Sequence, residues 1–327
     1  MGDDIRTLTS TDADEFGRLC AAVERDHPTP LRLTADDFRE MGQMPGTRFF
    51  GAFDGPTMVG WSGFLASVQP ACQRFLVDGD HDPARPAGEL PAALLATALD
   101  AARAWHVDTE PDLPVLFVNR AAQGRTAHER LVTGLGFAPE RYRYLMLADL
   151  ADVPEPPALP DDLVLTTFSD DDSERLRRAH NEVFRDYPNG ATADEDNWAG
   201  FMLAGHARHH LSYVLSDAGG AVAAYAFAHE YGAPASGRAE DREVYFPYIG
   251  TARPHRGRGL ASALVARTLH AAAAEGFTAA SLDVDMENPD GASGIYERSG
   301  FRVHHTFVEY ALRESAPEPE DPAPAEA

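Results

Sequence analysis

Two stretches of this chain repeat one another. Val23-Glu24-Arg25-Asp26-His27-Pro28 returns as Val183-Phe184-Arg185-Asp186-Tyr187-Pro188, Thr34-Ala35-Asp36 as Thr192-Ala193-Asp194, and Gly136-Phe137 as Gly300-Phe301. The spacing stays at roughly 160 residues with a small drift, as loop insertions and deletions would give, so the chain reads as a tandem duplication. Whatever one copy folds into, the other must fold into as well. Two units also suit a length of 327 residues. The run Pro154-Glu155-Pro156-Pro157-Ala158-Leu159-Pro160 between them is stiff and unable to join a sheet. The expected divisions are 1–152, a linker at 153–161, a second unit at 162–313, and an acidic, proline-rich, disordered tail at 314–327.

Each copy alternates strand and helix patterns. In the first, short strands are expected at Ile5–Leu8, Cys72–Val77, Pro114–Val118 and Tyr142–Leu147. A hairpin at 48–53 and 58–67 turns on Asp54-Gly55-Pro56. Helices are expected over Asp12–Glu24, from Thr34 onward, over Ala92–Trp105 and over Ala127–Leu135. In the second copy, Arg256-Gly257-Arg258-Gly259-Leu260-Ala261 opens a helix whose Leu260, Leu264, Val265 and Leu269 share one face and which Gly276 stops. A turn without bulky side chains that empties into a helix N-terminus presents unpaired N–H groups and a positive dipole end, a natural seat for pyrophosphate.

A Walker A loop is excluded, because it needs a lysine and all 28 basic residues are arginine. A dinucleotide-binding turn fits poorly, since Thr251 to Arg256 separate the strand from the glycines. The pattern Arg256-x-x-Gly259-x-Ala261, followed by Asn288, Ala292, Tyr296 and a closing Gly300-Phe301, resembles the GNAT acetyltransferase superfamily across Leu163–Leu312. The resemblance implies an α/β (α+β) fold: two tandem GNAT-like domains, each a mostly antiparallel mixed sheet with flanking helices and a splayed central strand pair. It implies that acetyl-CoA is the cosubstrate and that a small-molecule primary amine accepts the acetyl group by direct attack in a ternary complex. Backbone groups of Ile249 and Thr251 would pair with the pantetheine arm. Arg256, Gly257, Arg258, Gly259, Leu260 and Ala261 would hold the pyrophosphate, and Asn288 would contact the pantetheine amides. Tyr296 would protonate the leaving thiolate. Glu243 is the candidate general base, Glu230 the runner-up, and Asp283 and Asp285 are further carboxylates near a strand end.

The first copy departs from this pattern. Val132 and Gly124 stand where Tyr296 and Asn288 stand in the second. Its loop, Arg85-Pro86-Ala87-Gly88-Glu89-Leu90, loses a donor to proline and gains a negative charge. Little or no acyl-CoA binding is expected there. One degenerate and one competent half also resemble the layout of mycothiol synthase. A non-catalytic acyl-CoA-binding protein is the reading from outside enzymology.

No metal is expected. His206, His209 and His210 offer helical spacing without a clear carboxylate, and His304-His305 would point to opposite faces of a strand. Trp198 and Phe201 read as core or as acceptor-pocket wall. The net charge of −24 argues against nucleic acid or an anionic membrane as partner. No leader-like N-terminus or long apolar run is present, and Cys20 and Cys72 are too few for a disulfide framework, so a cytoplasmic monomer or homodimer is expected.

Overall fold

The computed structural model describes residues 4–30, 32–69, 71–185, 192–203, 205–232, 234–238, 241–286 and 292–315. Asn288 and the proline-rich tail beyond 315 lie outside them. In the first half the order is β1 (Asp4–Thr7), α1 (Ala13–Asp26), α2 (Ala35–Met41), β2 (Thr47–Asp54), β3 (Thr57–Gln69), β4 (Cys72–His81), α3 (Leu90–Thr109), β5 (Val115–Ala122), α4 (Thr126–Gly134) and β6 (Ala138–Asp149). The second half repeats it as β7 (Val164–Thr167), α5 (Ser173–Val183), α6 (Glu195–Met202), β8 (Tyr213–Ser216), β9 (Val222–Ala226), β10 (Glu243–Phe246), β11 (Ile249–Thr251), α7 (Leu260–Ala274), β12 (Ala279–Asp285), α8 (Ala292–Arg298) and β13 (Arg302–Glu314). Position for position, β10 and β11 together stand for β4.

Local chemistry explains the repeated helix starts. Thr34 and Asp37 form a capping box, Asp37 N–H donating to Thr34 Oγ1 at 3.2 Å and Thr34 N–H to Asp37 Oδ2 at 2.8 Å. The same role in the second half falls to Asp194, which accepts from Asn197 N–H at 2.8 Å.

Among the described residues nine strands form one sheet, ordered β1-β2-β3-β4-β5-β13-β6-β12-β10, and four form another, ordered β11-β9-β8-β7. The β4–β5 and β10–β12 pairs are parallel. The two halves exchange their closing strands. β13, the last strand of the second half, lies antiparallel between β5 and β6 of the first, with Phe307 opposite Ala122 and Glu314 opposite Val115. In return β6 pairs antiparallel with β12, from Ala279 opposite Asp149 to Asp285 opposite Arg143. One sheet therefore runs unbroken through both copies, with no open edge between them.

One face of this sheet is apolar and lies under helices. Leu260, Leu264, Val265 and Leu269 of α7 bury against Val244, Phe246, Leu282 and Val284. Leu95, Ala98 and Leu99 of α3 bury against Phe75, Phe117 and, from β13, Val308 and Tyr310. The first half's core is thus completed by residues from the end of the chain. Trp198 on α6 is a core residue beside Leu176, Tyr225 and Phe227, and donates from Nε1 to Ser173 Oγ at 3.0 Å.

Candidate active site

The site grows from the break between β10 and β11. β10 runs beside β12 from Glu243 opposite Ala279 to Phe246 opposite Leu282. At Pro247-Tyr248 the chain turns away, and β11 pairs with β9 instead, while β12 continues to Asp285. A wedge opens between β11 and the end of β12. Phe227 N–H donates to Tyr248 C=O at 3.0 Å and Ala252 N–H to Ala223 C=O at 2.9 Å. Groups alternate sides along an antiparallel ladder, so the backbone of Ile249 and Thr251 faces away from β9, into the wedge. Thr251 C=O accepts a long bond from Arg256 Nε at 3.4 Å.

The wedge leads to the glycine turn. Gly257 and Gly259 have φ of 76° and 74°, the left-handed region that a residue with a Cβ rarely adopts. A Cβ at either would meet nothing within 4 Å, so backbone conformation demands glycine and the turn stays open. Gly259 caps the N-terminus of α7, whose first residues are Leu260 and Ala261. Arg258 is held aside by Asp162 Oδ1 at 2.6 Å and His255 Nδ1 at 3.1 Å.

Tyr296 on α8 is half-buried against the α7 core. Its ring centroid lies 6.2 Å from that of Phe301, which lies 6.1 Å from Phe246 at the tip of β10. Two ring contacts therefore tie Tyr296 to the point where the strands part.

Glu243 sits three residues before that point, on the opposite, polar face of the sheet. It is 5% exposed. Its carboxylate accepts from Ser281 Oγ and from Ala235 N–H at 2.7 Å, and lies 3.7 Å from Arg32 of the first half. Burial pushes its pKa above the usual carboxylate range, and Arg32, Ser281 and Ala235 N–H pull against that. Glu230 lies apart from the wedge, bonded to Arg208 at 2.7 Å and Arg242 at 2.6 Å. Burial raises its pKa, but those two arginines outweigh it and the net shift is downward. Asp285 pairs with Arg141. Asp283, level with the parting strands, accepts from Tyr245 Oη–H at 3.0 Å. Tyr245 and Tyr248 escaped the sequence reading, because aromatics in a buried strand look like core.

The first half has the same wedge, filled differently. β4 and β5 pair from Gln73 opposite Val115 to Leu76 opposite Val118, then part. Counting from the parting point, Gly79 and His81 stand where Ile249 and Thr251 stand. Gly79 N–H donates to Asp78 Oδ1 at 2.8 Å and His81 N–H to Asp80 Oδ1 at 3.0 Å. Val77 C=O accepts from Asn119 Nδ2 at 3.0 Å, and His128 Nε2 bonds Asn119 Oδ1 at 2.8 Å. Arg125 clamps Asp80 at 3.0 and 3.2 Å, with His27 at 2.8 Å on its other side. A cavity of about 220 Å³ remains beside these groups.

Two expectations about histidines are corrected. His206, His209 and His210 do not share a helix face, since only a short 3-10 turn over His209–Leu211 forms there. His206 stacks on Tyr231 at 4.7 Å, His209 Nε2 bonds Met202 C=O at 2.6 Å, and His210 bonds Glu275 at 3.0 Å. His304 and His305 do not diverge either. Val303 pairs with Met146 and His305 with Leu145, so His304 is the extra residue of a bulge, and the two rings lie 4.1 Å apart. Both line a cleft of about 960 Å³ that also touches Arg32, His27 and the loop Pro234–Gly237. Among the described residues no group of three or more His, Cys, Asp or Glu is placed to hold a metal, and no helix is long and apolar enough to cross a membrane.

Comparison with known proteins agrees with this geometry. Residues 173–301 match the acetyltransferase (GNAT) family. No curated protein matches the sequence. Among solved structures, a GCN5-related N-acetyltransferase from Sphaerobacter thermophilus superposes with a TM-score of 0.74 at 19% identity, covering 95% of both chains. A tandem GNAT protein from the clavulanic acid biosynthesis pathway gives 0.71 at 15% identity, over 98% of this chain and 100% of its own. An acetyltransferase-like protein from Pyrococcus horikoshii gives 0.62 at 11% identity, over 97% and 91%. At these identities the likeness is one of fold. The chain thus has the fold of tandem GNAT proteins, and its residues 173–301 match the acetyltransferase (GNAT) family model.

Proposed function

We propose that the second half transfers an acetyl group from acetyl-CoA to a primary amine of a small molecule, as a cytoplasmic enzyme. The observation that carries this reading is the difference between the two wedges. In the second half the backbone of Ile249 and Thr251 faces an opening that ends at the bare Gly257–Gly259 turn and the α7 N-terminus. In the first half, the corresponding N–H groups are consumed by Asp78 and Asp80. A pantetheine arm has backbone to pair with in one and little in the other, and a pyrophosphate meets two open glycines, Gly257 and Gly259, before α7 but a single one, Gly88 beside Glu89, before α3.

The amine nitrogen attacks the thioester carbonyl, the carbon–sulfur bond breaks, and the thiolate takes a proton from Tyr296. The amine's proton passes to a carboxylate, for which Glu243 is the candidate from sequence. Burial raises its pKa, the direction that strengthens a carboxylate as a base. Asp283 is favoured by position, since it lies level with the parting strands beside Tyr245. A mycothiol-synthase-like reaction is a narrower version of this proposal, tested with a cysteinyl–glucosaminyl–inositol amine as acceptor.

Calorimetric titration with acetyl-CoA tests the reading. One site per chain is expected, abolished in Gly259→Glu. Tyr296→Phe should keep that affinity and lose about tenfold or more of the turnover of any amine found in a screen. Two sites would make the first half live. No binding would end the transferase reading, and binding without turnover of any amine would favour an acyl-CoA-binding protein.

A further inference from the structure

The polar face of the nine-stranded sheet carries arginines from the first half beside the second half's wedge. Side chains two apart on a strand share a face. Arg74 therefore shares the face of Leu76, Arg120 that of Val118, and Glu309 that of Ala311; these three apolar residues pack together in one cluster. Arg143 shares the face of Leu145, which packs with Ala122 and Phe307, each two residues from Arg120 and Glu309 respectively. The strand exchange sets Glu309 of β13 directly opposite Arg120 of β5, and their charged groups approach to 3.3 Å.

Glu309 answers Arg120, and Arg74 and Arg143 lie in the same set. The nearby Asp285 pairs with Arg141, and Asp283 accepts from Tyr245. Among the described residues no hydrogen bond or ion pair reaches the Arg74 guanidinium, and its Nε and that of Arg120 are buried without a hydrogen-bond partner. Burial lowers the Arg74 pKa to about 10, with Arg120 and Arg143 adding to the fall and Glu309 opposing it. The same three arginines act on the phenol of Tyr248, the residue just before Ile249 at the wedge. Like charges held close together at a half-buried face cost stability unless a counter-charge arrives, and guanidinium pairs are suited to planar, bidentate capture of an oxyanion.

We propose that this face is the anion-binding part of the acceptor site: the amine acylated in the wedge also carries a carboxylate or phosphate group, which Arg74 and Arg120 of the first half hold. The degenerate half then supplies acceptor specificity to the half that retains the chemistry. This assignment rests on the acyl-transfer reading above for its reaction, though the anion site can be measured without turnover.

The test is a calorimetric titration with succinate and, separately, with inorganic phosphate, in excess acetyl-CoA, on wild type, Arg74→Gln and Arg120→Gln. One of the anions should bind wild type, and each variant should weaken it about tenfold or more with acetyl-CoA affinity unchanged. The unfolding midpoint of Arg74→Gln should stay at or above that of wild type, because one of three like charges is removed. The tighter probe separates carboxylate from phosphate. Absence of binding by both anions, or equal binding to wild type and variants, overturns the proposal. Anion binding through Arg74 in a protein that does not bind acetyl-CoA would instead end the acyl-transfer reading and leave the anion site standing.

Discussion

Gly250 shows how one residue fixes the position of the wedge. A Cβ there would lie 2.4 Å from Cζ and 2.5 Å from Oη of Tyr225. Tyr225 cannot yield easily: it is fully buried, and its hydroxyl bonds His180 Nδ1 at 2.9 Å. β11 thus lies against β9 closely enough to leave β12, and only glycine permits that approach. Gly250→Ala should destabilise the protein by about 1–3 kcal/mol through overpacking. Urea unfolding would show it, and an unchanged midpoint would mean that Tyr225 has room to move. In the first half Asp80 occupies the corresponding place and turns its carboxylate to Arg125 and His27. A glycine that looks incidental in sequence is a packing requirement, legible only once the facing tyrosine is known.

At the scale of elements, the β4–β5 and β10–β12 pairs share a geometry and differ in what fills it. Asp78 belongs to the filling. Burial raises its pKa to about 7, against the pull of Gly79 N–H. A carboxyl with a folded pKa above its unfolded value binds more protons in the native state between the two. Stability contributed by the protonated form is therefore lost as pH rises from about 4 to about 7. Asp78→Asn should remove that loss, and its advantage over wild type should grow across this window by at most about 1.4 kcal/mol per pH unit. Thermal unfolding of both proteins at pH 5 and pH 8 decides it; a constant difference would mean that Asp78 is ionised throughout. The loop chemistry that separates the halves in sequence, Pro86 and Glu89 against Gly257 and Gly259, is the visible part of the divergence. The aspartates and Asn119 that cover the first wedge's backbone were not recognisable, because their partners are main-chain atoms on a neighbouring strand.

For the molecule as a whole, the exchange of β6 and β13 makes each half depend on the other. The first half's core needs Val308 and Tyr310, and β12 needs β6 beside it. Residues 1–152 expressed alone should not sediment as a folded monomer, since β5 would present an unpaired edge over an incomplete core. Mixed with 153–327 they should recover a one-to-one complex that binds acetyl-CoA. A well-folded, monomeric 1–152 would show that β6 can close its own half. The sequence by itself determined the duplication, the element order, the glycine turn and the α7 face that buries Leu260, Leu264, Val265 and Leu269. These rest on local periodicity and backbone conformation, which a chain carries in its own residues. The tertiary structure alone decided which strand closes which half, that His304 and His305 meet across a bulge, that Glu243 answers Arg32, and that Arg74 and Arg120 gather beside the wedge. Each of these depends on pairing between segments far apart in the chain, and no short-range pattern encodes such a partner.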